Sequence, residues 1–328
     1  MRAWQVHEHG EPRDVLRLET VPEPEPRPDQ VRVTVEAVAL NFPDVLLCRG
    51  QYQERPALPF TPGLEVVGRV TAAGADSGRR VGDRVVGTTG LPHGGLAEET
   101  LLDAGDAYDL PEEVPAVDAA CFFLTYHTGY VGLHERARLA PGETLLVHAG
   151  AGGVGSAAIQ LGRAAGARVV ATAGGPRKVE VCRRLGADVA VDYLADDFVA
   201  VVKEVTGGRG ADVVYDPVGG DVFDRSTRCT AFEGRLVVVG FTGGRIAEAR
   251  TNHLLVKNYS VVGLHWGLYR RLRPRVVAET HEALLVLHAR GAVRPLVEAV
   301  LPLEEAPSGL ERLAARGTVG KVVVTPGA

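Results

Sequence analysis

The chain has 328 residues, more than a single hydrophobic core usually supports, so its length predicts two domains. Apolar residues make up 45% and charged residues 23%, which excludes a disordered, collagen-like or coiled-coil protein. The formal net charge of −5 provides no overall attraction to nucleic acid or to an anionic membrane, so neither partner is expected.

The cysteines and the apolar segments bear on the compartment. The four cysteines, Cys48, Cys121, Cys182 and Cys229, are far apart and form no C-x-x-C pair, so neither a disulfide scaffold nor a zinc knuckle is indicated. The sequence has no uncharged apolar run of about 18 residues, and residues 1–10 do not look like a signal peptide. We therefore expect a protein of the reducing cytoplasm without a membrane span.

The first 121 residues contain short β-type segments, including 31–40, 66–71 and 80–87, with little helical periodicity. Four prolines between positions 22 and 28 mark an extended connection, and Gly82-Asp83 supplies a turn. This pattern predicts an antiparallel, partly closed β-domain over residues 1–121.

From about residue 122 the pattern changes to short apolar strands that alternate with helices, which is typical of a parallel sheet covered on both faces. The strands are predicted at 145–149, 168–172, 189–191, 212–215, 235–240 and 260–264. The helices between them are predicted at 155–165, 177–185, 197–206 and 222–231. Six strands complete a dinucleotide-binding sheet, so residues 122–266 are predicted to form a doubly wound α/β domain.

The remaining chain, residues 267–328, contains a long predicted helix at 275–289 and a final strand at 320–325. We expect this segment to return to the first domain and to complete it.

The most informative segment is a buried strand that runs through G-x-G-x-x-G into a helix, with the glycines at Gly150, Gly152 and Gly155. In such a turn the first glycine permits a tight bend, the second lets the backbone approach a pyrophosphate, and the third lets the helix pack on the strand. The amides at the helix start then face the anion. The alternative is a glycine-rich loop without a ligand, but strand, spacing and helix together favour a dinucleotide site.

The residues that follow the predicted strand at 168–172 bear on whether the cofactor is NADPH or NADH. An NAD site usually has an Asp or Glu about 20 residues after the glycines. Here the strand ends in Ala173 and Gly174, and Arg177 and Lys178 follow. These two cations suit the additional 2′-phosphate of NADPH. The alternative is that they only occupy a helix start, where they oppose the helix dipole unless an anion is bound.

Several motifs together carry a family resemblance, although each alone is weak. They are Asn41-Phe42-Pro43-Asp44, Arg49-Gly50-Gln51-Tyr52, Gly63-Leu64-Glu65-Val66-Val67-Gly68, Val81-Gly82-Asp83-Arg84-Val85, Thr128-Gly129-Tyr130, the glycine turn, Asp192-Tyr193 and Asp212-Val213-Val214-Tyr215-Asp216. The chain resembles the medium-chain dehydrogenase/reductases, in the zinc-free quinone oxidoreductase branch that includes zeta-crystallin. The resemblance implies a GroES-like catalytic domain, a Rossmann domain that binds NADPH, and a homodimer with its seam near residues 259–264.

The resemblance also implies roles for individual residues. The positions that match Asn41, Thr128 and Gly240-Phe241-Thr242 border the nicotinamide in this branch, and those that match Lys178 and Tyr193 surround the adenosine 2′-phosphate. The full set expected at the cofactor is Asn41, Thr128, Gly150, Gly152, Gly153, Val154, Gly155, Ala173, Gly174, Arg177, Lys178, Tyr193, Val218, Gly240, Phe241 and Thr242.

No metal is expected. Zinc-dependent relatives have a Cys near position 41, a His at the centre of G-H-E, and four closely spaced cysteines, whereas this chain has Asn41, Leu64 and no cysteine cluster. A leucine has no lone pair to donate, and catalytic zinc requires about three protein ligands.

Without a metal, the more natural reaction is hydride transfer from NADPH to an electron-poor acceptor. Quinones and activated α,β-unsaturated carbonyls fit, because hydrogen-bond donors can stabilise the anion that forms. Asn41 and Tyr52 are the candidate donors and Asp44 is a further catalytic candidate. Packing is the alternative role for Tyr52, and a structural role is the alternative for Asp44. Leu46 stands where several bacterial members of the family have a tyrosine, and with Leu47 and Cys48 it favours a hydrophobic enone or acyl chain over a small hydrophilic quinone. The expected partner is a small hydrophobic electron acceptor.

Two other functions stay open at this point. The first is an enoyl-thioester reductase, which would depend on the thioester carrier. The second is a noncatalytic NADPH-binding protein, which would bind the dinucleotide without turnover.

Overall fold

The computed structural model describes residues 1–327. The strands in chain order are β1 Arg2–Val6, β2 Leu16–Thr20, β3 Gln30–Ala39, β4 Glu65–Ala73, β5 Arg84–Thr89, β6 Glu99–Asp109, β7 Thr144–Val147, β8 Arg168–Ala173, β9 Val189–Asp192, β10 Ala211–Asp216, β11 Thr230–Val238, β12 Ser260–Gly263, β13 Val297–Pro302 and β14 Lys321–Thr325. The α-helices are α1 Pro12–Val15, α2 Phe42–Cys48, α3 Ala116–Tyr130, α4 Gly153–Ala164, α5 Pro176–Arg184, α6 Phe198–Val205, α7 Gly220–Ser226, α8 Thr251–Lys257, α9 Trp266–Leu272, α10 Pro274–Ala289 and α11 Ala306–Ala314. A π-helical turn covers Val131–Arg136 and a 3₁₀ turn covers Leu303–Glu305.

The chain divides into two compact units. The first combines Met1–Leu124 with the chain from Pro295 onward, and the second is Thr125–Arg294. Among residues 1–327, no helix combines the length and apolar character needed to cross a bilayer.

The first unit is built around the long strand β3. Strand β4 runs antiparallel to β3 along most of its length, and the meander β4-β5-β6 returns so that β6 pairs with the first half of β3. This additional pairing closes β3-β4-β5-β6 into a barrel, while β13-β14 extends the sheet from the second half of β3. The partly closed β-barrel expected from the sequence is confirmed.

Pairing at the end of β3 brings distant parts of the chain together. Ala39, the last residue of β3, lies opposite Glu65 on β4 and opposite Val323 on β14. The segment that follows Ala39 therefore begins beside the starts of β4 and β14. Asn41 in this segment, Glu65 on β4 and Lys321 on β14 form part of the candidate site.

The second unit is a parallel sheet with the order β12-β11-β10-β7-β8-β9. Counted from β7 as the first strand, this is the 3-2-1-4-5-6 order of dinucleotide-binding sheets, and the strand order reverses between β7 and β10. All four residues of β7 are buried, as expected for a strand whose sheet is covered on both faces. The predicted Rossmann-type α/β architecture is confirmed.

The second unit extends further than the sequence suggested, because its boundary lies after Arg294 and not near residue 267. Trp266 packs edge-on against His127, with ring centroids 5.8 Å apart, and His281 Nδ1 lies 3.4 Å from His127 Nε2. Arg294 then donates its backbone N–H to Gln160 Oε1 (2.7 Å) and accepts from Gln160 Nε2 (3.0 Å). These contacts keep α9 and α10 in the second unit.

Helix α7 is shorter than the predicted helix at 222–231, since it ends at Ser226. Thr230 already belongs to β11, where it lies opposite Ala211 of β10. Strand pairing therefore overrides helical periodicity in the last part of the predicted segment.

His148, directly after β7, ties three elements of the second unit together. Its Nδ1 lies 2.9 Å from Thr172 Oγ1 on β8, and its Nε2 lies 2.8 Å from Ser226 Oγ on α7. Because Ser226 Oγ donates its own hydrogen to the Val222 carbonyl, it accepts from His148, which places the proton on Nε2. The imidazole is fully buried, and burial lowers its pKa to about 3, with a smaller contribution from Arg225.

We predict that His148 makes the fold sensitive to mild acid. The unfolded chain protonates this residue near pH 6.5, whereas the folded chain does not until about pH 3. Its stabilising contribution is therefore complete above pH 6.5 and declines as the pH falls towards 3, by about 1.4 kcal/mol per pH unit. Denaturant unfolding between pH 7 and 4 should show a smaller loss of stability in His148→Gln than in the wild type.

The exposed His9→Gln variant is the matched control and should keep the pH dependence of the wild type. His127 is also buried with a lowered pKa, so the informative quantity is the difference between His148→Gln and the wild type. Parallel pH dependences would contradict the assignment of His148.

Candidate functional site

The glycine turn joins β7 to α4 at the point where the strand order reverses. Gly150 donates its N–H to the Thr172 carbonyl on β8 (2.9 Å), and Gly152 donates to the Ala149 carbonyl (2.9 Å). Gly152 is the N-cap of α4, so the amides of the first turn of that helix have no intrahelical acceptor. The turn thus presents amide hydrogens at the carboxyl edge of the sheet.

The three positions of the motif require a glycine for different physical reasons. A Cβ at Gly155 would lie 2.1 Å from the Ala149 carbonyl oxygen, and a Cβ at Gly150 would lie 2.8 Å from Cys182 Sγ. At Gly152 the nearest atom would be the Ala149 oxygen at 3.3 Å. The left-handed residue of the turn is Ala149, with φ of 51°, so Gly150 is needed for space and not for an unusual backbone angle. Packing accounts fully for Gly150 and Gly155 but less for Gly152, which leaves room for a ligand to approach there.

The ends of β8 and β9 form a second part of this edge. Tyr193 donates its N–H to the Ala173 carbonyl (3.1 Å), and Asp192 Oδ1 accepts from the N–H of Gly175 (2.9 Å). A Cβ at Gly174 would lie 2.7 Å from the Tyr193 hydroxyl oxygen, so Tyr193 lies directly over this glycine. Asp192 was not assigned a role from the sequence, and it holds this turn in place.

Two basic residues lie in the first turn of α5, directly after this turn. Arg177 is exposed and Lys178 is half-buried in the first turn of the helix, next to Gly174 and Gly175 in sequence. The structure therefore brings Ala173, Gly174, Tyr193 and the start of α5 into one region.

Beyond β10, Asp216 organises the next loop. Its Oδ1 accepts from the N–H groups of Val218 (2.8 Å) and Gly219 (3.0 Å). Within the described chain, its buried Oδ2 has no hydrogen-bond partner, and burial raises the pKa of this carboxyl. Asp216 therefore fixes the backbone around Val218 at the same edge as the glycine turn.

The loop after β11 is attached to the loop after β10. Thr242 donates from its hydroxyl to the Pro217 carbonyl (2.9 Å), while Phe241 leaves 42% of its surface exposed. Gly240 precedes them, and Thr128 is half-buried on α3. The loops that carry Val218 and Gly240-Phe241-Thr242 thus lie together.

In the first unit, Asp44 anchors the start of α2. Its Oδ2 accepts from the N–H of Asn41 (2.8 Å), and its Oδ1 accepts from those of Gly63 (3.0 Å) and Leu64 (3.1 Å). The carboxyl is completely buried, and burial raises its pKa to about 6, although these amides and Lys321 act to lower it. Both oxygens are engaged by the main chain, which describes an anchor more closely than an acid catalyst.

The side-chain amide of Asn41 also uses almost all of its hydrogen-bonding capacity. Its Nδ2 donates to the Ala39 carbonyl (3.0 Å) and to Glu65 Oε2 (2.9 Å), and its Oδ1 accepts from Lys321 Nζ at 2.5 Å. Glu65 accepts in addition from the N–H of Leu124 (2.6 Å). Because both amide hydrogens have acceptors, Asn41 could donate to a substrate oxygen only by giving up one of these bonds.

Lys321 and Glu65 had no functional role in the sequence analysis. A usable signal was present, since Lys321 is one of four lysines among 36 basic residues and begins the otherwise apolar strand β14. Tyr52, the other candidate donor, is half-buried and packs against the core of the first unit.

The donor set argues against a metal centre. Among residues 1–327, no group of three or more His, Cys, Asp or Glu side chains is arranged to hold an ion. Beside Asn41 stands the ammonium of Lys321, and Leu64 offers no ligand atom. The thiols are buried, and burial raises the pKa of Cys48 to about 12, which leaves it unreactive.

Comparison with known families gives two matches. Residues 27–112 match the alcohol dehydrogenase GroES-like domain, and residues 153–282 match the zinc-binding dehydrogenase family.

Individual proteins match over nearly the whole chain. Quinone oxidoreductase-like protein 2 of Bos taurus is 40% identical, over 95% of this chain and 89% of the relative. Quinone oxidoreductase of Pseudomonas aeruginosa is 35% identical, over 98% of both chains. The crystal structure of Escherichia coli quinone oxidoreductase complexed with NADPH superposes with a TM-score of 0.93 at 30% identity, over 99% of this chain and 100% of that chain.

Two glycines of the turn, Gly152 and Gly155, yield a prediction. Gly155→Ala should destabilise the fold by more than about 2 kcal/mol, since its Cβ meets rigid backbone. Gly152→Ala should change stability by less than about 1 kcal/mol, because only one atom is within 3.4 Å of its Cβ. The same variant should weaken NADPH binding at least tenfold by keeping the pyrophosphate away from the backbone.

Denaturant unfolding and calorimetric titration with NADPH measure the two effects separately. Wild-type affinity in Gly152→Ala would mean that a ligand does not approach this glycine.

Proposed function

Because the chain belongs to the quinone oxidoreductase family of the medium-chain dehydrogenase/reductases, we propose that it reduces quinones or activated α,β-unsaturated carbonyls with NADPH and without zinc. The observation that carries the proposal is the glycine turn at the reversal of strand order, with Gly152 open and two cations after β8. The Escherichia coli relative was solved as a complex with NADPH.

When bound, NADPH supplies the hydride, and the protein holds and orients it. In our proposal the amides of Gly153, Val154 and Gly155 hold the pyrophosphate at the start of α4, and Gly152, whose N–H is bonded to Ala149, lets the phosphate approach the backbone. The 2′-phosphate is held at the end of β8, in a group that the resemblance and the charges assign to Ala173, Gly174, Arg177, Lys178 and Tyr193. The nicotinamide half is assigned to Asn41, Thr128, Val218, Gly240, Phe241 and Thr242.

The acceptor oxygen gains negative charge during hydride transfer, so a hydrogen-bond donor stabilises it. Tyr52 is a candidate for that donor because a phenol hydroxyl can donate a hydrogen bond, whereas Asn41 would have to give up its bond to Ala39 or to Glu65. We assign Asn41 to the wall of the site and Asp44 to the anchoring of α2, with water as the final proton source.

Zinc independence is supported by the chemistry of the residues around Asn41. A buried ammonium 2.5 Å from Asn41 Oδ1 would repel a divalent cation, and Leu64 has no donor atom. A cytoplasmic location, with its reducing conditions, fits the four buried free thiols.

The first experiment compares NADPH and NADH oxidation by metal-stripped protein with a quinone, a simple enone and an enoyl thioester as acceptors. We expect turnover of the quinone or the enone, with kcat/KM at least tenfold higher for NADPH. Faster reduction of the thioester would favour an enoyl-thioester reductase. Tight NADPH binding without turnover of any acceptor would favour a noncatalytic role, and activity restored only by added zinc would overturn zinc independence.

Charge reversal on α5 completes this test. Lys178→Glu should raise KM for NADPH at least tenfold and change KM for NADH less than threefold, since hydrogen bonds to charged groups contribute about 1.5–3 kcal/mol. Arg184→Glu, at the other end of the same helix, is the control and should leave both values unchanged. Equal losses for both cofactors in Lys178→Glu would remove the 2′-phosphate assignment.

We also propose a homodimer through strand β12. This strand is at one edge of the sheet, and edge strands pair readily with another chain. Helix α8, directly before it, leaves Leu255 and Val256 77% and 76% exposed. An apolar surface beside an unpaired edge fits a seam between two copies.

Light scattering should therefore give twice the chain mass for the wild type. Leu255→Glu should yield monomers, because a carboxylate would be buried at the seam. Leu194→Glu, an equally exposed position after β9 at the opposite edge, should stay dimeric. A monomeric wild type, or a dimeric Leu255→Glu variant, would contradict the proposed seam.

A further inference from the structure

The strongest unassigned feature is a buried group of polar residues in the first unit. We call it the Lys321 cluster, and it consists of Asn41, Asp44, Glu65 and Lys321. Each member is at least 94% buried. Charges removed from water in this way must be compensated by opposite charges and by hydrogen bonds.

The hydrogen bonds of the Lys321 cluster determine which way the Asn41 amide faces. The Lys321 ammonium can only donate, so the Asn41 atom beside it must be the carbonyl oxygen Oδ1. The Glu65 carboxylate can only accept, so the Asn41 atom beside it must be the nitrogen Nδ2. A flipped amide would put NH₂ against the ammonium and an oxygen against the carboxylate. The two charges therefore hold one of the two amide orientations.

Lys321 is central because it contacts both partners. Its Nζ lies 2.5 Å from Asn41 Oδ1 and 3.2 Å from Glu65 Oε2, so it orients the amide and neutralises the carboxylate that binds the other end of that amide. It comes from β14, which pairs with the end of β3 just before Asn41. It is the only lysine of the first unit, since the other lysines of the chain are residues 178, 203 and 257, all in the second unit.

We propose that Lys321 is a positioning residue for hydride transfer, acting through Asn41. By holding the amide in one orientation, it gives the nicotinamide a fixed polar wall with no spare hydrogen. The inference rests on the proposed function, which assigns Asn41 to the nicotinamide side of the site. Lys321 is far from Asn41 in the sequence, and the effect of replacing it should appear in kcat more than in KM.

Removal of Lys321 alone leaves Glu65 buried without a cation, so Lys321→Met alone is expected to be unstable. The informative variant is Lys321→Met with Glu65→Gln, which removes both charges together. In Glu65→Gln the side-chain oxygen keeps the bond from the N–H of Leu124, so the new NH₂ group faces Asn41 and can donate only to its amide oxygen. The double variant should therefore fold, but it should favour the flipped orientation of the Asn41 amide.

We expect kcat with NADPH and the best quinone to fall at least tenfold in the double variant, and KM for NADPH to change less than threefold. Thermal unfolding should stay close to that of the wild type. Lys203→Met, which removes an exposed lysine of α6, is the control and should keep the wild-type kcat. A double variant with the wild-type kcat would overturn the positioning role.

A second readout does not require activity. The chain has only three asparagines, Asn41, Asn252 and Asn258, and the last two are exposed. In protein labelled with ¹⁵N-asparagine, the side-chain NH₂ of Asn41 should give one pair of slowly exchanging signals. In the double variant this pair should shift and exchange faster, while the signals of Asn252 and Asn258 stay in place.

The two readouts separate failure of the inference from failure of the proposed function. A wild type that turns over no acceptor, with the Asn41 signals behaving as expected, would refute the proposed reduction and leave the control of Asn41 by Lys321 intact. Unchanged Asn41 signals in the double variant would refute that control whatever the activity.

Discussion

A polar group taken out of water must find a partner inside the protein, and this constraint accounts for the form of both units. In the first unit, Lys321 and Glu65 are buried together, and their charges determine how Asn41 faces. In the second unit, the neutral imidazole of His148 joins β7, β8 and α7, and Gln160 binds both main-chain groups of Arg294. Each group fixes chain segments that are distant in sequence, so satisfying buried polar atoms also determines where the candidate functional residues stand.

The same constraint distinguishes anchoring residues from residues that remain available to a ligand. Asp44 gives both carboxylate oxygens to main-chain amides, and Asn41 uses all of its amide hydrogens. By contrast, the amides at the start of α4 have no intrahelical acceptor, and Gly152 has little packing around its α-carbon. Ligand binding therefore depends on polar groups that have no partner within their own helix. Polar groups that are already hydrogen-bonded inside the protein hold the surrounding chain in place.

The second unit was the easier part to predict from the sequence. Its strands are short, apolar and regularly spaced, and the order of a doubly wound sheet follows from right-handed crossovers, so the carboxyl edge and the glycine turn could be located without coordinates. The reasons for individual glycines were less accessible, because the left-handed residue proved to be Ala149 and the space at Gly150 is set by Cys182, 32 positions later. Lys321 and Glu65 could not be paired from the sequence, since their contact depends on the register of β14, β3 and β4. The end of the second unit was placed too early for the same reason, because Gln160 and Arg294 meet only in the folded chain.

The sequence separation within the first unit has a consequence for synthesis. Lys321 lies 280 positions after Asn41, and the whole second unit intervenes. At ordinary translation rates, tens of seconds pass between the emergence of these two residues, while the contiguous second unit can already fold. Until β14 is made, the open end of β3 and the carboxylates of Asp44 and Glu65 have no ammonium beside them. The nascent first unit therefore stays incomplete until the end of synthesis, when the last strand completes both its sheet and its charge balance.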